Sequence, residues 1–336
     1  MLGVLARRHS VLVLSALLVA GCSDDGGGLT GPGDGSATPT FGAPLGGGAP
    51  TNASLDAPKW QVGQSWTWTV QKADAPEAFE ATTVVLAAGA DGYDVGTTDV
   101  AQAAQVYPFH LIGLGQVDNG TLAWQAHGGP VQLLRFPLKD GDAWTADFWG
   151  APGATVTLTF GPVLSFGGGP GATVQVRYAG SDALFLAAEY SFTLGQFTRV
   201  ASYFGGSWDF ATATLVSTGH GTSGTPFEAF DLYRGSVSAG QPQGMAPTPL
   251  TINATANFMV MACFFDYDGG MGSYRATLSA LDGSLLTCQG ASAPPSGPSG
   301  SYQALSHQVP AGPAALEVTA AGVGSITAEL FGVRTA

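Results

Sequence analysis

Charged residues are scarce in this chain. Asp, Glu, Lys and Arg make up 10% of its 336 residues, and Lys59, Lys72 and Lys139 are its only lysines. The acidic excess gives a formal net charge of -13, and no segment carries a run or stripe of basic side chains. Binding to a nucleic acid backbone requires such clusters of Lys and Arg. We therefore expect no nucleic acid partner.

Helical patterning is also missing. No segment repeats its apolar residues at helical spacing between recognisable caps, whereas 50 glycines and many short alternating runs are present. Alternation with a period of two, interrupted by tight turns, is typical of antiparallel strands. The 45% of hydrophobic residues is enough to form one or two cores. The composition and pattern therefore predict an all-β protein.

Apolar runs long enough to span a membrane are absent, and the apolar run near the N-terminus is short. Arg7, Arg8 and His9 precede the apolar run 11–20, which ends in small residues. This order is typical of an export signal, and the run is too short for a comfortable membrane span. We predict that residues 1–21 are a signal peptide.

One cysteine follows this signal directly. The stretch Val19-Ala20-Gly21-Cys22 resembles the lipobox of bacterial and archaeal lipoproteins. The resemblance implies that the Cys22 sulfur carries a diacylglyceryl group and that Cys22 is the first mature residue. It further implies a lipoprotein anchored in the cell membrane or outer envelope, outside the cytoplasm. The alternative is an ordinary secretory signal that is cleaved nearby, with Cys22 unmodified.

The mature chain would depend on lipid for its attachment to a membrane. Removal of Arg7 and Arg8 leaves 11 minus 2 basic residues against 24 acidic ones, a balance of about -15. Anionic headgroups repel such a chain, so we expect acyl chains to hold it, at about 0.8 kcal/mol per buried methylene. Residues 22–57 are rich in Gly, Pro, Ser and Thr, and we predict that they form a disordered tether.

The chain has few cysteines, three in all. Lipidation of Cys22 would leave Cys263 and Cys288 as an even pair. Outside the cytoplasm we expect these two to form a disulfide. Two separate buried thiols are the alternative. A metal site is not favoured, because neither cysteine has a second Cys or His at ligand spacing.

The first folded domain is predicted to span residues 58–234. Near its start, Trp66, Trp68 and Val70 alternate with polar residues, which predicts a strand whose tryptophans fill the core. A later Gly-x-x-Trp stretch that ends at Trp144 has the same interpretation. Consecutive strands with short turns predict an antiparallel β-meander, curved into a half-barrel or a sandwich.

A second, smaller domain is predicted at the C-terminal end. The Gly/Pro/Ser/Gln-rich stretch 235–250 is interpreted as a linker. Six short strands with turn signals follow within residues 251–336, and they favour a small jelly-roll-like β-sandwich. The expected disulfide would join strands of this domain.

No set of residues with a recognisable catalytic or ligand-binding spacing emerges. The histidines are scattered without ligand spacing, and no pair of carboxylates is selected by its position. Asp266 and Asp268 could offer oxygen ligands to calcium, yet a solvated hairpin turn is the preferred interpretation. We therefore predict no catalytic residue, no cofactor and no metal site, and a protein that is not an enzyme.

Three short stretches fit the Asn-x-Ser/Thr acceptor sequence for N-glycosylation. They are Asn52-Ala53-Ser54, Asn119-Gly120-Thr121 and Asn253-Ala254-Thr255. Such stretches also arise by chance, and they matter only in an envelope whose proteins are glycosylated.

Three functional hypotheses remain. The favoured one is a lipid-anchored cell-envelope protein with a non-catalytic binding or structural role. Its partner is unknown, and an envelope protein and a polysaccharide are the candidates. The alternative is a carbohydrate-binding surface lipoprotein in which Trp149, Tyr203 and Trp208, close to predicted turns, stack on sugars. The second alternative is an envelope hydrolase whose site forms only in three dimensions.

Overall fold

The computed structural model describes most of the chain from residue 55 onwards. The described residues are 55–72, 77–98, 114–124, 131–148, 151–203, 211–221, 225–238, 248–267, 272–292, 299–305, 307–322 and 324–336. All of them belong to one compact unit, Ala37–Ala336. Their regular elements are all β-strands, which confirms the predicted all-β class. These residues contain no helix with the length and apolar character needed to span a bilayer.

Eighteen strands follow one another within the described residues. The first eleven are β1 (Gln64–Lys72), β2 (Phe79–Ala88), β3 (Gly92–Thr97), β4 (Gly115–Asp118), β5 (Ala143–Phe148), β6 (Ala151–Val163), β7 (Gly169–Arg177), β8 (Leu184–Ser191), β9 (Gln196–Ser202), β10 (Ala211–His220) and β11 (Phe227–Ser238). The remaining seven are β12 (Thr248–Ile252), β13 (Phe258–Tyr267), β14 (Gly272–Ala280), β15 (Leu285–Ser292), β16 (Ser299–Leu305), β17 (Gly312–Ala321) and β18 (Gly324–Thr335).

In the part of the chain that the structure describes, the larger of two sheets contains 14 strands. Its order is β16-β13-β18-β11-β3-β2-β1-β10-β9-β8-β7-β6-β5, with β4 paired to β3 outside this path. Strands β5 to β10 are neighbours in chain order, which is the predicted meander, and their ladders are antiparallel. A single residue pair, Phe227 opposite Thr97, joins β11 to β3.

The alternation of residues in β1 explains why this segment is a strand. Trp66, Trp68 and Val70 are buried on one face. On the other face Thr67 Oγ1 lies 3.0 Å from Thr82 Oγ1 of β2, its cross-strand partner. Aromatic and β-branched side chains suit such a half-buried strand, and the sequence-based prediction for β1 is confirmed.

The inner face of the larger sheet encloses the first core. Strands that are far apart in the sheet contribute to it, for example through Trp66 of β1, Val156 of β6 and Val260 of β13. Because these strands share one core, the sheet must curve around it, in agreement with the predicted half-barrel or sandwich. The segments between β4 and β5 add further buried side chains, namely Leu122, Trp124, Val131, Leu133, Leu134 and Leu138.

The smaller sheet has four strands in the order β12-β17-β14-β15. It packs on the end of the larger sheet that contains β13 and β18, and together the two layers enclose a second core. A small β-sandwich is therefore present in the C-terminal region, and one of its layers is continuous with the larger sheet. Large side chains in this core are Met259, Met261, Phe265, Tyr274, Leu278, Leu286, Leu316, Ile326 and Leu330.

Strand β13 is buried on both faces. Phe258, Val260 and Ala262 pack in the first core, whereas Met259 and Met261 pack in the second. A strand that is covered on both sides is expected to be a nearly continuous apolar run rather than an alternating one. This accounts for the run of apolar residues at the start of β13.

The predicted linker at 235–250 overlaps the end of β11 and the start of β12. Residues 239–247 lie outside the described part of the chain. Strand β11 ends before residue 239. It pairs with β18 from Phe227 opposite Thr335 to Ser238 opposite Ser325. The domain boundaries 58–234 and 251–336 stay predictions.

The predicted disulfide between Cys263 and Cys288 is present. Cys263 lies in β13 of the larger sheet and Cys288 in β15 of the smaller one, and both residues are buried. The bond therefore links the two layers of the C-terminal sandwich. It closes a loop with a sequence separation of 25 residues.

Removal of this bond is expected to destabilise the fold. A Cys263→Ala/Cys288→Ala double variant should lose about 3 kcal/mol of unfolding free energy, because the unfolded chain is no longer constrained by the loop. Urea unfolding measures the change, in a Cys22→Ala background that avoids acyl chains. Cys22→Ala alone is the control. An unchanged midpoint in the double variant would contradict a stabilising role for the bond.

Candidate functional site

The three predicted ligand-stacking residues are not all part of the described chain. Trp149 and Trp208 lie outside it, and Tyr203 follows β9 and is half-buried. The Tyr203 backbone N–H donates to the carbonyl oxygen of Phe185 at 2.9 Å. Burial raises the pKa of the Tyr203 hydroxyl, and the positive charge of Arg199 partly offsets this rise. A stacking platform needs exposed ring faces, and Tyr203 is only partly exposed.

The described tryptophans belong to the core. All five are buried, namely Trp60, Trp66, Trp68, Trp124 and Trp144. Trp60 Nε1 donates to the Gly195 carbonyl at 3.2 Å, and Trp68 Nε1 donates to Thr83 Oγ1 at 3.2 Å. The core positions predicted for Trp66, Trp68 and Trp144 are confirmed. With seven tryptophans in the chain, sugar stacking on an exposed tryptophan would have to use Trp149 or Trp208.

The calcium-binding alternative receives no geometric support. Asp266 lies in β13 and Asp268 lies outside the described residues. Strands β13 and β14 belong to different sheets, so the expected hairpin turn between them is wrong. A further carboxylate, that of Asp282, accepts hydrogen bonds from the backbone N–H and the hydroxyl of Ser284. These hydrogen bonds lower the pKa of Asp282. Within the described ranges, no three His, Cys, Asp or Glu side chains are grouped so that they could hold a metal ion.

A cleft of about 510 Å³ opens beside the β2–β3 hairpin and β4. Its lining consists of residues 87–94 together with Gln116, Val117 and Asp118. Asp91, Asp94 and Asp118 supply its charge, and none of the lining residues is Lys, Arg or His. The cleft therefore has a negative potential that attracts cations.

Asp118 organises the turn that follows β4. Its Oδ1 accepts hydrogen bonds from Gly120 N at 2.9 Å, from Thr121 N at 2.7 Å and from Thr121 Oγ1 at 2.7 Å. The hydrogen bond from the Thr121 hydroxyl is the main reason that the pKa of Asp118 is lowered. Next to it, Asn119 Nδ2 donates to the Ala90 carbonyl at 2.8 Å. The β4 turn is thereby attached to the β2–β3 turn.

Asp118 and Tyr93 of this cleft are engaged in hydrogen bonds within the fold. A general acid at neutral pH requires a raised pKa, whereas the pKa of Asp118 is lowered. The hydroxyl of Tyr93 is occupied, since it accepts from Trp60 N at 3.1 Å and donates to the Pro58 carbonyl at 3.4 Å. The lining includes no Ser, Thr, Cys or Lys, and its carboxylates are those of Asp91, Asp94 and Asp118.

Substitution of Asp118 should destabilise the cleft turn in a pH-dependent way. Asp118→Ala is expected to lower the unfolding free energy by about 1–2 kcal/mol at pH 7, because Gly120 N, Thr121 N and Thr121 Oγ1 lose the partly exposed carboxylate that accepts their hydrogen bonds. The folded-state pKa is depressed, so this stability exists above the unfolded pKa of about 4 and declines as the pH falls through the folded value.

Urea unfolding at several pH values measures this difference. Asp91→Ala, at an exposed aspartate of the same cleft, is the matched control and should change the unfolding free energy by less than about 0.5 kcal/mol. An equal loss in both variants, or a loss in Asp118→Ala that grows below pH 4, would contradict the role of Asp118.

A buried polar cluster lies elsewhere on the larger sheet, and sequence reasoning missed it. Glu189 of β8 has an exposed fraction of 1%. Its Oε2 accepts hydrogen bonds from Ser165 Oγ at 2.6 Å and from Ser165 N at 3.2 Å. Ser165 Oγ also lies 2.8 Å from Thr198 Oγ1 of β9. The cluster attaches the β6–β7 turn to β8 and β9.

The backbone of this turn explains its glycine run. Phe166, Gly167, Gly168 and Gly169 have φ angles of 21°, 79°, 63° and 109°. Glycine adopts such left-handed conformations without steric cost, whereas other residues do so at a penalty. The glycines bend the turn, and Ser165 connects it to Glu189. Glycine-rich composition was the only sequence signal, and it did not identify the carboxylate partner.

Loss of the Ser165 hydroxyl should lower the stability of the fold. Ser165→Ala is expected to lower the unfolding free energy by about 1–3 kcal/mol, because a buried carboxylate loses a hydrogen-bond donor. Thermal or urea unfolding measures the change. The control is Leu164→Ala in the same turn, where the leucine is 63% exposed and the expected change is below about 0.5 kcal/mol. Equal stability of Ser165→Ala and wild type would exclude a stabilising role.

Comparison with known proteins adds no functional assignment. No family model matches the chain, and no curated protein matches it. A structure of infectious bursal disease virus, Gx strain, is similar at 10% identity over 83% of this chain and 73% of that chain, with a TM-score of 0.21. An exo-beta-1,3-galactanase from Phanerochaete chrysosporium has 8% identity over 75% of this chain and 78% of that chain, with a TM-score of 0.23. These similarities are too low to carry an argument.

Proposed function

We propose that the protein is a lipid-anchored cell-envelope protein whose β-rich body has a non-catalytic binding or structural role. The observation that carries the proposal is the cysteine pairing. Cys263 and Cys288 are bonded to each other, so Cys22 alone of the three cysteines is outside the bond. Disulfides are typical of proteins that fold outside the cytoplasm. The bond therefore supports export, and the lipobox-like stretch supports Cys22 as the attachment point.

Most of the predicted tether, residues 22–57, lies before the first described residue. The first described residue, Leu55, pairs with Leu138 in an isolated bridge. Cys22 and Leu55 are separated by 55 minus 22, or 33, positions. A flexible chain of this length has an end-to-end distance of about 30 Å. On this proposal the β-rich body stands away from the lipid surface that holds Cys22.

The non-catalytic part of the proposal rests on the described polar sites. The cleft beside β4 is lined by three aspartates and by no Ser, Thr, Cys or Lys. The Glu189 carboxylate and the Ser165 hydroxyl are engaged with each other in a turn attachment. Both arrangements stabilise turns, and the negative cleft can accept a cationic or hydrogen-bond-donating group of a partner.

The anchor is tested by removal of the Cys22 sulfur. In cells that make the protein, Cys22→Ala should move most of the full-length chain from the membrane fraction to the soluble fraction and abolish labelling by an alkyne fatty acid. Fractionation and in-gel fluorescence measure both effects. The Cys263→Ala/Cys288→Ala variant is the matched control, because it removes two other thiols and should keep the label. Membrane association of Cys22→Ala would contradict the anchor.

The binding role is tested with the soluble Cys22→Ala chain. In-cell crosslinking to an envelope protein would support a protein partner. Saturable binding to a polysaccharide that is lost in Trp149→Ala or Trp208→Ala would instead favour the carbohydrate-binding alternative. Trp144→Phe is a useful control for the second assay, because Trp144 is buried and should not contribute to stacking.

A further inference from the structure

We infer that Asn253 is a glycosylation site, with a glycan bonded to its side-chain nitrogen. The inference goes beyond the proposed function and rests on it in one respect, since the chain must be exported to meet a glycosylating enzyme. Two of the three acceptor sequences, at Asn119 and Asn253, lie within the described residues, and Asn52 lies outside them. The two described sites differ in whether the acceptor groups are free.

At Asn119 the acceptor groups are occupied. Asn119 Nδ2 donates to the Ala90 carbonyl at 2.8 Å and to the Gly89 carbonyl at 3.4 Å. The hydroxyl of Thr121, the third residue of the sequon, donates to Asp118 Oδ1 at 2.7 Å. A glycan on Asn119 would replace the hydrogen bonds that attach the β4 turn to the β2–β3 turn. The folded chain therefore protects this site from modification.

At Asn253 the acceptor groups are accessible. Asn253 and Thr255 are both exposed in the connection between β12 and β13. The Asn253 amide makes no hydrogen bond to the described part of the chain. The residues that flank the sequon, Ile252 and Ala256, are buried. Ala256 is further held by backbone hydrogen bonds to Val309, at 2.9 Å from Ala256 N and 2.8 Å from Val309 N.

The acceptor residues Asn253 and Thr255 are therefore exposed in a short connection whose two ends are buried. Surface loops of exported proteins are where N-linked glycans are found. The reaction requires a glycan linked to a polyprenyl diphosphate as the donor. The Asn253 Nδ2 forms a bond to C1 of the first sugar, the bond between C1 and the phosphate oxygen breaks, the diphosphate leaves with the electron pair, and Nδ2 loses one proton.

The position also gives the glycan a physical role. Strand β12 ends at Ile252 and is an edge strand of the smaller sheet. Edge strands can pair with other chains unless they are shielded, and Pro249 within β12 already removes one backbone donor. A bulky hydrophilic group on the next residue would hinder pairing of β12 with a second molecule.

The test uses the full-length protein purified from the cells that make it. Protease digestion and mass spectrometry should find a glycan on the peptide that contains Asn253 and none on the peptide that contains Asn119. Asn253→Gln and Thr255→Ala should lose the glycan completely, whereas Thr255→Ser should retain it, because serine preserves the hydroxyl of the sequon. Asn119→Gln should leave the glycan in place.

Two results would overturn the inference. One is an unmodified Asn253 peptide from the wild-type chain, and the other is a glycan that persists in Asn253→Gln. Membrane fractionation of the same samples separates this inference from the anchor proposal. A membrane-bound chain without glycan overturns the glycosylation site alone, whereas a glycosylated chain in the soluble fraction overturns the anchor alone. Asn253→Gln should unfold at the wild-type urea midpoint, which excludes misfolding as the cause of glycan loss.

Discussion

Both cores depend on the pairing of β13 with β18. In β13 the even-numbered residues from Phe258 to Ala262 pack in the first core, and the odd-numbered ones from Met259 to Phe265 pack in the second. Strand β18 divides in the same way, with Phe331 and Val333 in the first core and Ile326, Ala328 and Leu330 in the second. A shift of one residue along this strand pair would exchange the two sets of side chains. The register of one strand pair thus determines the packing of both cores, and the Cys263–Cys288 bond joins the same strand to the smaller sheet.

Away from this strand pair, a few polar groups attach turns to strands. Asp118 and Asn119 connect two turns beside the cleft, and Glu189 holds Ser165 against the sheet. Hydrogen bonds to a carboxylate are stronger than those between neutral groups. Although only 10% of the residues are charged, individual carboxylates can therefore hold turns against strands. The same use limits their chemistry, because a carboxylate that is committed to its own turn is poorly placed to act on a bound molecule. This commitment of carboxylates to turns supports the proposed binding or structural role rather than a catalytic one.

Several features of the fold could be predicted from local sequence patterns. The burial of Trp66 and Trp68 followed from their alternation with polar residues, and the Cys263–Cys288 pair followed from the number of cysteines and the expected compartment. Candidate site residues were harder to predict. Tyr203 lies near a predicted turn, yet it is half-buried. Glu189 was missed because its partner Ser165 is 24 residues away in sequence. Glu329 was also missed. It is fully buried and lies opposite Arg234 of β11 in the strand register.

The sequence by itself determined the strand class, the tight turns, the tryptophan-filled core and the pairing of cysteines, because each depends on period-two alternation within a few residues or on simple counting. Only the tertiary structure decided that β13 and β18 extend the larger sheet beyond β11 and serve two cores at once. It also decided which of two described sequons has a free amide and which carboxylates are enclosed. Strand order, burial and hydrogen-bond partners arise from contacts between segments far apart in the chain, and local alternation carries no information about which distant strand will be the neighbour.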